Sequence, residues 1–85
     1  MRDDLIVVPV FSGGQLGPTR VRLPAGAGGL RRDSVVFCEE ITTIDRDFLA
    51  RGPVGVLAPN LIDAVVRGVR RATGEVVPEP EAQRR

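Results

Sequence analysis

The sequence contains no histidine, lysine, tryptophan or tyrosine, and its single cysteine is Cys38. This composition excludes a zinc cluster, a disulfide framework and a histidine general base. Cys38 lies within an apolar run, where a thiol is a packing residue rather than a nucleophile. Because phosphate-binding loops and nucleophile elbows are also missing, the sequence predicts no metal and no cofactor.

Long apolar runs are missing as well. The longest, residues 5–11, is far too short to span a bilayer, and Asp3 and Asp4 precede it where a secretion signal would carry positive charge. The sequence therefore predicts a cytoplasmic protein with no membrane partner.

Size and charge set further limits. At 85 residues the chain is at most one domain and buries about two-thirds of its unfolded surface, so its low stability favours association with a partner. The 12 basic residues are nearly balanced by 11 acidic ones, so only a local patch can bind nucleic acid. Every basic residue is arginine, which favours bidentate phosphate contacts, although a GC-rich genome would give the same composition.

Hydrophobic periodicity predicts a small α+β domain: a mostly antiparallel sheet or open barrel closed by a carboxyl-terminal helix. Predicted strands cover residues 5–11, 19–23, 34–41 and 53–57, and the helix covers residues 59–73. We expect Pro9 to force an edge position or a bulge, and strand 34–41 to lie centrally. The domain is predicted to span residues 1–75, with a proline-rich, disordered tail over 76–85.

Two neighbouring segments carry candidate binding residues. Ser12 and Gln15 lie in a glycine-rich loop whose backbone and side chains can approach a phosphate or a base edge, unless it is an ordinary hairpin loop. Arg20 and Arg22 share one strand face and form a basic rail for a nucleic-acid backbone, although a solvated face gives the same pattern.

The order of residues from Gly29 to Gly74 resembles the carboxyl-terminal part of the MazF/PemK toxin family. A glycine turn followed by Asp-Ser leads into an apolar strand and then into Ile-x-Thr-Ile-Asp, a Val-Gly-x-Leu segment and an amphipathic helix beginning at proline. The matching residues are Gly29, Leu30, Asp33, Ser34, Ile41, Thr43, Ile44, Asp45, Leu49, Val54, Gly55, Leu57 and Pro59. Residues 5–23 also resemble the family's central strand, its loop and the following strand. The resemblance implies an SH3-like barrel.

Several positions depart from the family pattern. The opening strands, including an Arg-Pro-Val strand with a catalytic arginine, would precede Met1, so we expect an amino-terminally truncated relative. The threonine after the strand proline is replaced by Phe11, with Ser12 next, and the usual glutamine is Glu40. Ala58 stands where the family has a helix-capping serine.

The resemblance implies the toxin of a type II toxin–antitoxin system, a sequence-preferring endoribonuclease that cleaves mRNA without a metal and inhibits growth. In such a reaction the 2′-OH attacks the adjacent phosphate while side chains stabilise charge and move protons. Ser12 is the catalytic candidate, and the RNA-binding candidates are Gln15, Arg20, Arg22 and Arg31. Implied partners are RNA, a cognate antitoxin peptide and a second copy in a homodimer, with DNA bound only by the toxin–antitoxin complex.

Two alternatives stay open. A truncated, catalytically silent relative would keep the surface that binds antitoxin or a full-length toxin. A plain nucleic-acid-binding small barrel would bind with steep salt dependence and no antitoxin affinity.

Overall fold

A computed structural model describes residues 3–49 and 52–77. Within these residues, five strands precede one helix: β1 (Asp4–Val7), β2 (Val10–Phe11), β3 (Arg20–Leu23), β4 (Ser34–Phe37), β5 (Thr42–Asp45) and α1 (Pro59–Ala72). Short 3₁₀ turns cover Ala27–Gly29, Cys38–Glu40 and Arg46–Phe48. All strand pairs are antiparallel, so the predicted α+β class with a carboxyl-terminal helix is confirmed.

The predicted first strand is divided at Pro9 into β1 and β2, which enter different sheets. β1 pairs with β5, whereas β2 is an edge strand of a three-stranded sheet ordered β2-β4-β3. Proline has no N–H to donate, and the Pro9 carbonyl instead accepts a hydrogen bond from the Phe37 amide at 3.0 Å. Pro9 was expected to force an edge position or a bulge. The strand that follows it, β2, does lie at a sheet edge, and Pro9 stands where the chain passes from one sheet to the other.

Strand β4 is central, as predicted, with Val35 and Val36 both buried. It is shorter than the predicted strand 34–41, because the 3₁₀ turn Cys38–Glu40 follows Phe37 directly. Glutamate is depleted in strands, so Glu39 and Glu40 do not extend β4. After this turn the chain continues into β5, which pairs with β1.

Helix α1 begins at Pro59 and ends at Ala72, within one residue of the prediction. Ala58 makes no side-chain capping hydrogen bond, as its methyl group requires. The helix packs on a core of Leu23, Val36 and Cys38, to which Val21, Leu61, Val65 and Val69 add partly buried side chains. Cys38 is fully buried, so its predicted packing role is confirmed.

The predicted strand 53–57 is wrong, because these residues form no strand. Val54 and Val56 are 82% and 88% exposed, and Gly55 instead presses its backbone against the 3₁₀ turn Ala27–Gly29. A run of small apolar residues fits a strand pattern, but here it serves as a close-packed connection into α1.

Residues 78–85, which make up most of the predicted tail, lie outside the described residues. The expected disorder and the domain bounds therefore stay predictions. Within residues 3–49 and 52–77, no helix is long and apolar enough to cross a membrane.

Candidate nucleic-acid interface

One face of the three-stranded sheet carries arginine and phenylalanine side chains. The register places Phe11 opposite Val35 and Val35 opposite Arg22, while Phe37 lies opposite Arg20. Because side chains alternate along strands, these residues share the face opposite the helix-covered core. We call this surface the open sheet face.

Arg20 is held in place on the open sheet face. Its Nε and Nη2 atoms donate to Glu39 Oε2 at 3.0 and 2.7 Å, and Nη1 donates to the Gln15 carbonyl at 3.1 Å. The guanidinium also lies 3.8 Å from the centre of the Phe37 ring, a cation–π contact. The Arg20 hydrogen bonds, with one from the Thr19 hydroxyl, lower the pKa of Glu39 to about 2. Arg20 thus anchors the loop before β3, and its charge is compensated.

Arg22 is more accessible. Its Nη2 atom donates to Asp33 Oδ2 at 3.1 Å, yet the side chain is 56% exposed. The Ala25 amide donates to Asp33 Oδ1 at 2.8 Å. The Ala25 hydrogen bond, followed by that from Arg22, lowers the pKa of the Asp33 carboxyl. Arg22 therefore stands in a fixed position from which an incoming phosphate can reach its remaining N–H groups.

A first cleft of about 240 Å³ lies between the glycine-rich loop and β4. We call it the loop cleft. Its lining residues include Ser12, Arg22 and Asp33. The other lining residues are Gly13, Gly14, Leu16, Ser34 and Val35. The sequence placed Ser12 and Arg22 on separate elements, and the fold brings both to one small cleft.

A second cleft of about 220 Å³, the helix cleft, lies between β3 and α1. Arg20 and Arg22 line its strand side, and Arg67 and Arg71 line its helix side. The two helix arginines were not among the binding residues predicted from the sequence, although their spacing of four residues indicates that they share a helix face. Arg67 forms an ion pair with Asp63.

The helix arginines are ordered by further contacts. Arg71 donates from Nε and Nη2 to the Val77 carbonyl at 3.1 and 3.0 Å. The helix can lie this close to β3 because Gly68 faces the Cys38 thiol without a side chain. The helix cleft is thus a second place with clustered positive charge.

The remaining RNA-binding candidates are less central. Gln15 lines neither cleft, and its carbonyl is the group that contacts Arg20. Arg31 is exposed in a bend before β4 and also lines neither cleft. The fold therefore places Ser12 with Arg22 at the loop cleft and Arg20 with Arg22 at the helix cleft, and Arg31 lines neither.

The described part of the chain offers no metal-binding arrangement. Among residues 3–49 and 52–77, no group of three or more His, Cys, Asp or Glu side chains could hold an ion. The polar residues that line the loop cleft are Ser12, Arg22, Asp33 and Ser34, and those that line the helix cleft are four arginines.

Comparison with known proteins places these features in context. A family model described as PemK-like, MazF-like toxin of type II toxin–antitoxin systems matches residues 2–73. A crystal structure described as an Mtb toxin is similar with a TM-score of 0.74 and 26% identity, over 82% of this chain and 75% of that chain. The Mycobacterium tuberculosis toxin MazF-mt6 is similar with a TM-score of 0.74 and 25% identity, over 84% of this chain and 70% of that one. No curated protein matches the sequence.

Proposed function

Because the chain belongs to the PemK-like, MazF-like toxins of type II toxin–antitoxin systems, we propose that it is a sequence-preferring, metal-independent endoribonuclease. It cleaves mRNA and thereby inhibits growth. The observation that carries the proposal is that Ser12 and Arg22, whose side chain is 56% exposed, line one small cleft. A hydroxyl and a guanidinium are groups that stabilise a phosphoryl centre as its charge increases.

The proposed reaction is a transphosphorylation. The ribose 2′-OH gives its proton to water and attacks the adjacent phosphorus, which forms a 2′,3′-cyclic phosphate. The bond to the 5′-oxygen breaks, and that oxygen takes a proton from water and leaves as a 5′-OH. Arg22 stabilises the charge on the phosphoryl oxygens by donating hydrogen bonds, and Ser12 donates one more. Because the guanidinium and the hydroxyl supply the stabilisation, no metal is needed.

RNA contact extends beyond the reacting phosphate. Arg20 and Arg22 both line the helix cleft, so a strand entering from the loop cleft meets two guanidiniums in succession. Gln15 and Arg31 are the further RNA contacts that the sequence suggests. Electrostatic contacts of this kind bind any sequence, so sequence preference must come from the cleft that holds a base.

The proposed partners follow from the family. A cognate antitoxin peptide binds the toxin, a second copy forms a homodimer, and DNA is bound only by the toxin–antitoxin complex in the cytoplasm. The small size of the chain supports association, because a domain of 85 residues buries only about two-thirds of its unfolded surface.

One observation favours a second function. Glu39 neutralises Arg20, and Phe11 occupies the position where the family resemblance places a threonine. A relative with these features can be catalytically silent and still bind an antitoxin or pair with an active toxin. Tight antitoxin binding without RNA cleavage is its expected signature.

Cleavage of a long, end-labelled RNA in the presence of EDTA tests the proposal. We expect discrete cuts by the wild-type chain, slowed roughly 10²-fold or more in Ser12→Ala and Arg22→Ala. Arg46→Ala, which removes the same charge from the 3₁₀ turn after β5, is the control and should cleave normally.

Two outcomes contradict the proposal in different ways. Intact RNA after incubation with folded wild-type chain rules out the nuclease and, with antitoxin binding, leaves the silent relative. Cuts that persist unchanged in Ser12→Ala and Arg22→Ala keep the nuclease but remove the loop cleft as its active site.

A further inference from the structure

We propose that Phe11 is a base-stacking platform, on which one nucleobase of single-stranded RNA lies while its ring edge enters the loop cleft. The neighbouring phosphate is held by Arg22. This inference rests on the proposed RNA-cleaving function, and it assigns the step by which a base is recognised. It follows from a ring, a cleft and a guanidinium that share the open sheet face.

Phe11 is the one of the two sheet phenylalanines whose ring remains accessible. The Phe37 ring has Arg20 over it, and the backbone of Gly14 lies so close that a Cβ there would be 2.6 Å from Phe37 Cζ. Phe11 makes a T-shaped contact with Phe37, with ring centres 4.8 Å apart, and stays 46% exposed. The contact orients the Phe11 ring and leaves apolar surface in water, which a base can cover.

The distance between ring and guanidinium suits a nucleotide. Phe11, Val35 and Arg22 form one cross-strand row, so Phe11 and Arg22 are two strand spacings apart, about 10 Å at the backbone. A base on the ring and a phosphate of the same or the next nucleotide on the guanidinium are therefore compatible with a single strand.

The loop cleft has the size and lining that a planar base requires. Its volume of about 240 Å³ is below the roughly 300–1,000 Å³ of sites for drug-sized ligands, so it fits one ring system. Leu16 and Val35 supply apolar walls, and Gly13 and Gly14 allow close approach to the backbone. The Asp33 carboxylate accepts hydrogen bonds from both Arg22 and the Ala25 amide, so its charge is compensated next to a phosphate.

Single-stranded RNA is the occupant that these groups favour. Proteins read unpaired RNA by stacking bases on aromatic rings beside basic side chains that follow the backbone. The open sheet face combines an accessible ring with Arg22 at the far end of the same row. An acidic peptide would use the guanidinium but would leave the ring without a planar partner.

Tryptophan fluorescence tests stacking directly, because the natural chain contains no tryptophan. In Phe11→Trp, we expect saturable quenching by a 2′-O-methyl oligouridine, which lacks the attacking hydroxyl and is not cleaved. An abasic oligonucleotide of the same length and charge should not quench. Phe48→Trp, on the exposed 3₁₀ turn Arg46–Phe48, is the matched control and should not respond to either ligand.

Affinity measured by anisotropy of a labelled oligonucleotide gives an independent test. Phe11→Leu keeps an apolar side chain without the ring and should bind oligouridine about 5- to 150-fold more weakly. Phe11→Tyr should bind as the wild type does, and all three proteins should bind the abasic oligonucleotide equally. Circular dichroism melting curves establish that the variants are folded.

The outcomes separate this inference from the proposed function. Wild-type affinity in folded Phe11→Leu, or equal quenching by abasic and base-containing strands, overturns the stacking platform while RNA binding stands. Failure of the wild-type chain to bind any oligonucleotide overturns both. A Phe11→Trp signal that responds to an acidic peptide and not to RNA identifies the open sheet face as a protein-binding surface and also refutes the inference.

Discussion

Replacement of Gly68 by alanine tests how closely helix α1 packs on the sheet. A Cβ at this position would lie 2.6 Å from Cys38 Sγ and 3.3 Å from Cys38 Cβ. Carbon contacts are favourable at about 3.5–4.0 Å, so either the helix or the thiol must move. We expect Gly68→Ala to introduce about 1–3 kcal/mol of overpacking, offset by about 1 kcal/mol from the better helix propensity of alanine.

Cys38→Ala provides the compensating change. Alone it removes one buried atom and costs roughly 1 kcal/mol, because the space left by Sγ stays partly empty. In the double variant the new methyl group at position 68 occupies that space. The double variant should therefore be about 1–3 kcal/mol more stable than the sum of the two single effects.

Urea unfolding followed by far-ultraviolet circular dichroism measures all four proteins. The absence of tryptophan and tyrosine makes backbone ellipticity the natural signal. Energies that add to within about 0.5 kcal/mol would refute the direct contact between Gly68 and Cys38. A Gly68→Ala chain more stable than the wild type by about 1 kcal/mol, the full gain in helix propensity without any overpacking, would also contradict it.

Two further predictions concern the Arg20–Glu39 ion pair and the close contact between Gly55 and the 3₁₀ turn Ala27–Gly29. The hydrogen bonds from Arg20 and Thr19 lower the pKa of Glu39 from 4.5 to about 2, so this contribution to stability is complete above pH 4.5 and lost as the pH falls to about 2. The melting temperatures of wild type and Glu39→Gln should converge over that interval, and a gap independent of pH would contradict the assignment. Gly55→Ala should destabilise the chain by roughly 1–3 kcal/mol, since its Cβ would lie 2.2 Å from the Gly28 carbonyl oxygen, whereas Gly52→Ala meets no atom within 4 Å and is the control. Equal urea midpoints for these two variants would refute the close approach.

Elements with strong local signals were predictable from the sequence. The helix stands out because apolar residues recur every three or four positions and Pro59 marks its first turn. The central strand is identifiable from its β-branched residues, which are buried on both faces. In both cases the local preference agrees with the tertiary environment.

Features that depend on distant contacts were not predictable. The 3₁₀ turn Cys38–Glu40 ends the predicted strand early, and Glu39 within it forms an ion pair with Arg20 of β3. Arg67 reaches the helix cleft only because Gly68 lets α1 approach the sheet. The prediction of a strand over residues 53–57 was wrong, because a run of small apolar residues does not reveal whether a neighbouring strand is available for pairing.

The sequence identified several residues of the candidate site but not the different role of each. Ser12 and Arg22 both line the loop cleft, but nothing in the sequence distinguishes Arg22 from Arg20, since both alternate outward on β3. The difference comes from their acceptors: Glu39 engages Arg20 twice, whereas Asp33 engages one Arg22 nitrogen. The sequence does not mark Phe11 as a binding residue, because phenylalanine in a strand is typical of packing.

Arg22 lines both the loop cleft and the helix cleft. Two ligands that each require its guanidinium cannot bind independently, and the antagonism between them must be reciprocal. If an occupant of the helix cleft weakens binding in the loop cleft by a given factor, an occupant of the loop cleft weakens binding in the helix cleft by the same factor. A single side chain thereby links the two clefts thermodynamically, with no change of fold required.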